Sequence, residues 1–222
     1  MDVMGDISFP ETVRTVAVYG GTFDPPTRAH VAMPQAVVDA IGADWLLVIP
    51  AAASPFKPGG AHATNAQRQR MLELAFEEQP CTTVTAMELL RGGASYTVDT
   101  LRSLCQRFPE ITFRLIIGAD QADSFHRWRE AESIIALAEP AVMLRGTDGA
   151  DTLLASMEPH WAADAIAQWR SRVVYVPQIN ASSTEARALL GLPGADEIRL
   201  NELISAPVLA YIRQESLYCS AH

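Results

Sequence analysis

The chain has almost no lysine. Its 17 basic residues are 16 arginines and one lysine, Lys57, which lies in "SPFKPGG" among prolines and glycines. Positive charge is scarce altogether, since 26 acids leave a formal net charge of −9 over 222 residues. A nucleic-acid polymer needs a basic face, so this balance argues against such a partner. Small phosphorylated ligands stay open, provided the few cations are concentrated locally. Cysteine is limited to Cys81, Cys105 and Cys219. They are odd in number and have no metal-type spacing. They are expected as small buried or terminal hydrophobes in a reducing cytosol. No apolar run nears the roughly 20 residues that span a bilayer, so no membrane role is expected. The opening "MDVMGDISFPETVR" lacks a basic start and an apolar core, and is expected to be a flexible lead-in over residues 1–14 rather than a signal peptide. Neither G-x-G-x-x-G nor G-x-x-x-x-G-K-[ST] occurs, which removes the dinucleotide fingerprint, and with it a dehydrogenase, as well as the P-loop. No repeat, low-complexity segment or long linker divides the chain, so residues 15–222 are expected as a single domain, helical from about 183.

Apolar, β-branched runs alternate with helical patterns. "TVAVYGG" (15–21), "WLLVIPA" (45–51), "CTTVTAMEL" (81–89), "TFRLIIG" (112–118), "AVMLRG" (141–146) and "RVVYVP" (172–177) read as buried strands. Helices are predicted from about Arg28 to Ile41, with Pro34 early in it as a possible kink, from an Asn65 cap through "QRQRMLELAFEEQ", over "SYTVDTLRSLCQRF", over "REAESIIALA", and around 155–169. The alternation implies an α/β fold, a Rossmann-like doubly wound parallel sheet with helices on both faces. Such sheets bind ligands beyond the carboxyl ends of their strands. Three candidate segments follow strands: Gly20 to His30, Gly118 to Asp120, and Asn180 to Arg187.

In "GGTFDPPTRAH" the glycines let backbone N–H groups approach a ligand closely, and a helix starting near Arg28 aims its positive end at the same place. His30 would then donate to a phosphate oxygen. A tight turn with a surface histidine accounts for the segment equally well. Asp24 beside Pro25 reads as a turn former. Arg68 and Arg70 read as a solvated helix face. His62, His126, His160 and His222 have no partners at ligand spacing.

The segment resembles the nucleotidyltransferase superfamily with the [HT]-x-G-H signature preceded by G-G-[TS]-F-D-P. Other stretches narrow the resemblance to bacterial nicotinate-nucleotide adenylyltransferases: "SPFKP", "QRQRMLEL", "SYTVDTL", "LIIGAD" with "FHRWREAESI", "NASSTEAR" and "PVLAYIRQESLY", in order from about Thr15 to Tyr218. The resemblance implies a cytoplasmic enzyme that joins ATP to nicotinate mononucleotide, giving deamido-NAD and pyrophosphate without a covalent enzyme intermediate. Catalysis by alignment and charge stabilisation would fall to His30, Thr27, Lys57 and Arg187. Gly20, Gly21, Thr22 and Phe23 would supply loop backbone, Ser183 and Thr184 a second phosphate clamp, and Gly118 and Asp120 the ribose contacts. Thr97 and Trp128 would hold the pyridine. Arg129 departs from the family pattern, standing where an aromatic often follows Trp128, and a guanidinium there would favour a carboxylate on the pyridine ring. Magnesium would arrive with ATP on phosphate and water, with no protein metal cage. A homo-oligomer is compatible with this reading. Thr27 stands where this branch has histidine, Ala29 where it has glycine, and Phe56 where its loop has histidine. The threonine also suggests phosphopantetheine adenylyltransferase as an alternative, and the threonine and alanine together a nucleotide-binding protein with weakened catalysis.

Overall fold

The computed structural model describes residues 7–53, 61–146 and 149–219. Six parallel strands form one sheet: β1 (Thr15–Gly21), β2 (Trp45–Pro50), β3 (Thr82–Val84), β4 (Thr112–Gly118), β5 (Ala138–Arg145) and β6 (Val173–Val176), in the order β3-β2-β1-β4-β5-β6. Strand order reverses between β1 and β4, which places a ligand crevice beyond Gly21 and Gly118.

Both faces are covered, as parallel sheets require. Along β1, Ala17 and Tyr19 enter one core with α1 (Arg28–Ile41), α2 (Asn65–Phe76) and the last helices. Val16 and Val18 enter the other, with α4 (Thr97–Arg107) and α6 (Ala131–Leu137). This alternation follows from the two-residue period of a strand. The first core also takes α9 (Ser183–Leu190), α10 (Glu197–Leu203) and α11 (Ala206–Gln214).

Several boundaries differ from expectation. The third strand shrinks to three residues, because the chain turns into α3 (Met87–Arg91) and buries Met87 and Glu88. The helical stretch around 155–169 divides into α7 (Ala150–Met157) and α8 (Ala163–Ser171), with Pro159 between them, where proline and its predecessor disfavour a continuing helix. Thr64, not Asn65, caps α2 and accepts from Gln67 N at 3.3 Å. Helix α1 runs on through Pro34, which is itself buried beside Met33, Val37 and Val38. Of the expected lead-in, residues 7–14 pack rather than float. Ile7 and Val13 are buried, and the Phe9 ring meets Phe108 at 5.0 Å and Trp45 at 6.3 Å. Cys81 and Cys219 are exposed, so neither serves as a buried hydrophobe. No helix among the described residues is long and apolar enough to cross a membrane.

Candidate active site

The residues beyond β1 form a bridge between the two faces of the sheet. On the α4 side lies a cavity of about 370 Å³, lined by Gly20, Gly21 and Thr22 together with Thr97, Trp128 and Arg129. The Trp128 ring stacks on buried Phe125 at 4.9 Å. Arg129 lies over the Tyr96 ring at 4.8 Å and reaches Asp99 at 3.7 Å. At the cavity wall the Thr100 hydroxyl donates to buried Glu88 at 2.6 Å and accepts from Arg91 at 2.9 Å. That network ties α3 to α4 one turn beyond Thr97.

On the α1 side the loop from Thr22 to Thr27 leads into the helix bearing His30. Its carbonyls are held by side chains from elsewhere in the chain. Arg68 donates to Thr22 O at 2.7 Å, Arg187 to Asp24 O at 2.6 Å, and the Ser183 hydroxyl to Pro25 O at 2.8 Å. The Asp24–Pro25 peptide is cis. The Asp24 carboxylate accepts from His62 N at 2.7 Å, Ala63 N at 3.1 Å and the Tyr218 hydroxyl at 2.7 Å. Burial pushes its pKa up, but the hydrogen bonds from His62, Tyr218 and Ala63 outweigh that and leave it below the ordinary carboxylate value.

His30 sits in the first turn of α1. The Thr27 N–H donates to its Nδ1 at 3.0 Å, the Thr27 hydroxyl lies 2.8 Å from the same nitrogen, and the Phe23 ring meets the imidazole at 5.4 Å and 80°. Phe23 has φ +50°, and a side-chain carbon at Gly21 would come within 2.8 Å of its ring, so this close approach requires glycine there.

The structure therefore gathers Gly20, Gly21, Thr22, Thr97, Trp128 and Arg129 around the cavity. It gathers Phe23, Thr27, His30, Ser183 and Arg187 around the loop, with the Thr184 hydroxyl accepting from Arg187 at 3.4 Å. Gly118 and exposed Asp120 stand at the neighbouring strand end, where Gly118 N donates to Gln121 Oε1 at 2.9 Å. Lys57 lies outside the described residues. Ser182, rather than Ser183, caps α9 through Glu185 N at 3.1 Å, which frees Ser183 to hold the loop. Among the described residues no group of three or more His, Cys, Asp or Glu is placed to hold a metal ion.

Sequence reasoning missed three of the strongest elements. Asp24 is more than a turn former, because its carboxylate joins three separated segments. Arg68 is 1% exposed rather than solvated. Its place on the same helix face as buried Met71 and Leu72, three and four residues on, was the available signal. Tyr218 gave no local signal.

The cytidylyltransferase-like family model matches residues 18–189. A Rhodopirellula baltica protein named "Probable nicotinate-nucleotide adenylyltransferase" is 33% identical over 211 residues, covering 94% of this chain and 95% of that protein. A Herpetosiphon aurantiacus protein of the same name is 33% identical over 213 residues, covering 93% and 99%. The chain belongs to the nicotinate-nucleotide adenylyltransferase family. The Plasmodium falciparum nicotinic acid mononucleotide adenylyltransferase complexed with NaAD shares this family's fold, with a TM-score of 0.66 at 19% identity over 92% of this chain and 97% of that one. The family match runs from within β1 to within α9, so the cavity and the His30 loop lie within it, while Tyr218 lies beyond it.

Proposed function

We propose that the protein transfers the adenylyl group of ATP to nicotinate mononucleotide, in NAD biosynthesis in the cytoplasm. The observation that carries this reading is the shared wall. Gly20, Gly21 and Thr22 border an aromatic cavity on one face of the sheet and run directly into the His30 loop on the other. The cavity's volume and its Trp128 and Arg129 lining suit a pyridine ring with a carboxylate. The loop, with His30 and the first turn of α1, suits phosphate.

A mononucleotide phosphate oxygen attacks the α-phosphorus of ATP. The new P–O bond forms as the bond to the β-phosphate oxygen breaks, and pyrophosphate leaves. The attacking phosphate is already ionised, so no enzyme nucleophile is needed. Catalysis is alignment plus stabilisation of charge spread over the transferring group. His30 Nε2 is the donor to that group. Ser183, Thr184 and Arg187 brace the loop and the triphosphate side, and Gly118 and Asp120 meet the adenosine ribose. Magnesium fits as an ion carried on ATP phosphates and water. The Asp24 carboxylate is engaged by amide and hydroxyl donors, and when bound the ion would neutralise phosphate charge.

Pyrophosphate release with ATP and each of nicotinate mononucleotide, nicotinamide mononucleotide and phosphopantetheine tests the proposal. Release with nicotinate mononucleotide foremost is expected. Release only with phosphopantetheine would make the threonine at 27 a substrate marker, and ATP binding without release would mean a nucleotide-binding protein.

A further inference from the structure

We infer that Thr27 is a positioning residue rather than a phosphate ligand, and that with Phe23 it fixes His30 as the tautomer carrying its proton on Nε2. The inference rests on the adenylyl-transfer reading for its purpose, but its geometry stands in the ligand-free protein.

A backbone N–H can only donate. The Thr27 amide, 3.0 Å from His30 Nδ1, therefore makes that nitrogen an acceptor, and the neutral ring's proton belongs on Nε2. The Thr27 hydroxyl lies 2.8 Å from the same Nδ1 and can turn its own hydrogen toward it. A ring flip would exchange Nδ1 for a carbon and leave both donors facing C–H. The amide involved belongs to the residue capping α1, one of the donors that a helix start leaves without an internal partner. Histidine here takes the place that glutamate or glutamine holds in a capping box, reaching back from the third helical position.

Thr27 is 2% exposed, which sets its hydroxyl against the imidazole rather than toward solvent where a triphosphate would lie. The second wall is aromatic. Phe23 meets the ring nearly at right angles, and is itself held by Tyr19 at 5.4 Å and by the absence of a side chain at Gly21. Ring orientation and proton position are thus both set before substrate arrives, as a preorganised donor to a transferring phosphoryl group requires. A histidine at position 27 would bring a second titratable ring to this place. Threonine brings a hydroxyl that is a donor at every working pH.

Long-range ¹H–¹⁵N spectra of the ligand-free protein read the tautomer directly. His30 is expected to show a protonated Nε2 and an acceptor-type Nδ1, unchanged in Thr27→Ser. Thr27→Val places a methyl where the oxygen lies. Apolar contact needs about 3.5–4.0 Å, so the ring must swing away and mix tautomers. Turnover should then fall roughly tenfold to a hundredfold, the scale of a displaced catalytic group, while KM for nicotinate mononucleotide stays constant. Thr27→Ser should restore turnover. Thr27→Ala adds no bulk and keeps the amide donor, so its His30 proton should stay on Nε2 with unchanged ATP binding. Its turnover should fall less than in Thr27→Val, and it carries the test if the valine variant folds poorly. A wild-type His30 protonated on Nδ1 overturns the inference. So does an unchanged tautomer in the valine variant, or weaker ATP binding in the alanine variant, the signature of a direct phosphate contact. The expected spectrum with no pyrophosphate release from any acceptor would leave the tautomer lock standing and remove the adenylyl-transfer reading.

Discussion

The Tyr218 hydroxyl donates to the Asp24 carboxylate at 2.7 Å, closing a loop of 194 residues onto the turn that follows the first strand. Burial and the neighbouring Asp24 charge together raise the Tyr218 pKa, so the phenol stays a donor throughout the working pH range. Tyr218→Phe removes one hydrogen bond to a charged group. It should lower stability by about 1.5–3 kcal/mol, measured as a shift in the urea midpoint with an unchanged slope.

Acid should loosen the same junction. A carboxyl whose folded pKa is depressed contributes stability above its unfolded value, near 3.9, and loses that contribution as pH falls through the lower folded value. Asp24 is such a group. Urea midpoints measured between about pH 6 and pH 3 should fall less steeply for Asp24→Asn than for the wild type. Equal slopes would show that Asp24 carries no linked proton.

His30→Ala should lower turnover by about 10²–10³, the effect of deleting one preorganised donor to a transition state. Steady-state kinetics with ATP and nicotinate mononucleotide check this. A loss of only severalfold would move the donor role elsewhere.

Arg68 puts one guanidinium nitrogen on Thr22 O and the other on Asn65 Oδ1, both at 2.7 Å. Burial pulls its pKa down, against the pull of nearby Asp24. Arg68→Lys offers a single point in place of a fork, so the loop should lose definition. KM for ATP should rise severalfold without a matching loss of the pyridine-side KM, and initial-rate kinetics with each substrate varied separate the two.

Arg129 lines the cavity with its guanidinium over Tyr96. Arg129→Ala should reduce the preference for nicotinate over nicotinamide mononucleotide, read as the ratio of the two kcat/KM values. An unchanged ratio would assign the carboxylate to another group.

The fold was legible where burial on both faces forced continuous apolar strands, as in "TVAVYGG" and "TFRLIIG". It was less legible at Met87–Arg91, where an edge strand gives way to a short helix for the sake of burying two side chains. Of the candidate site, the strand-to-helix loop at Gly20 to His30 was legible because glycine and a helix start announce themselves locally. Arg68, Asp24 and Tyr218 act through partners 46, 38 and 194 residues away, and no local pattern encodes such pairs. Thr27 was visible, but only the three-dimensional capping geometry turned its hydroxyl from the ligand toward His30.

The cavity and the His30 loop draw largely on opposite cores, and the tip of β1 lies between them. A dinucleotide formed here would straddle that tip, one base on each side of the sheet. Release would begin with whichever side opens first, leaving the product tethered by the other, and the order of that unfastening would be written into which face of the sheet is held more firmly.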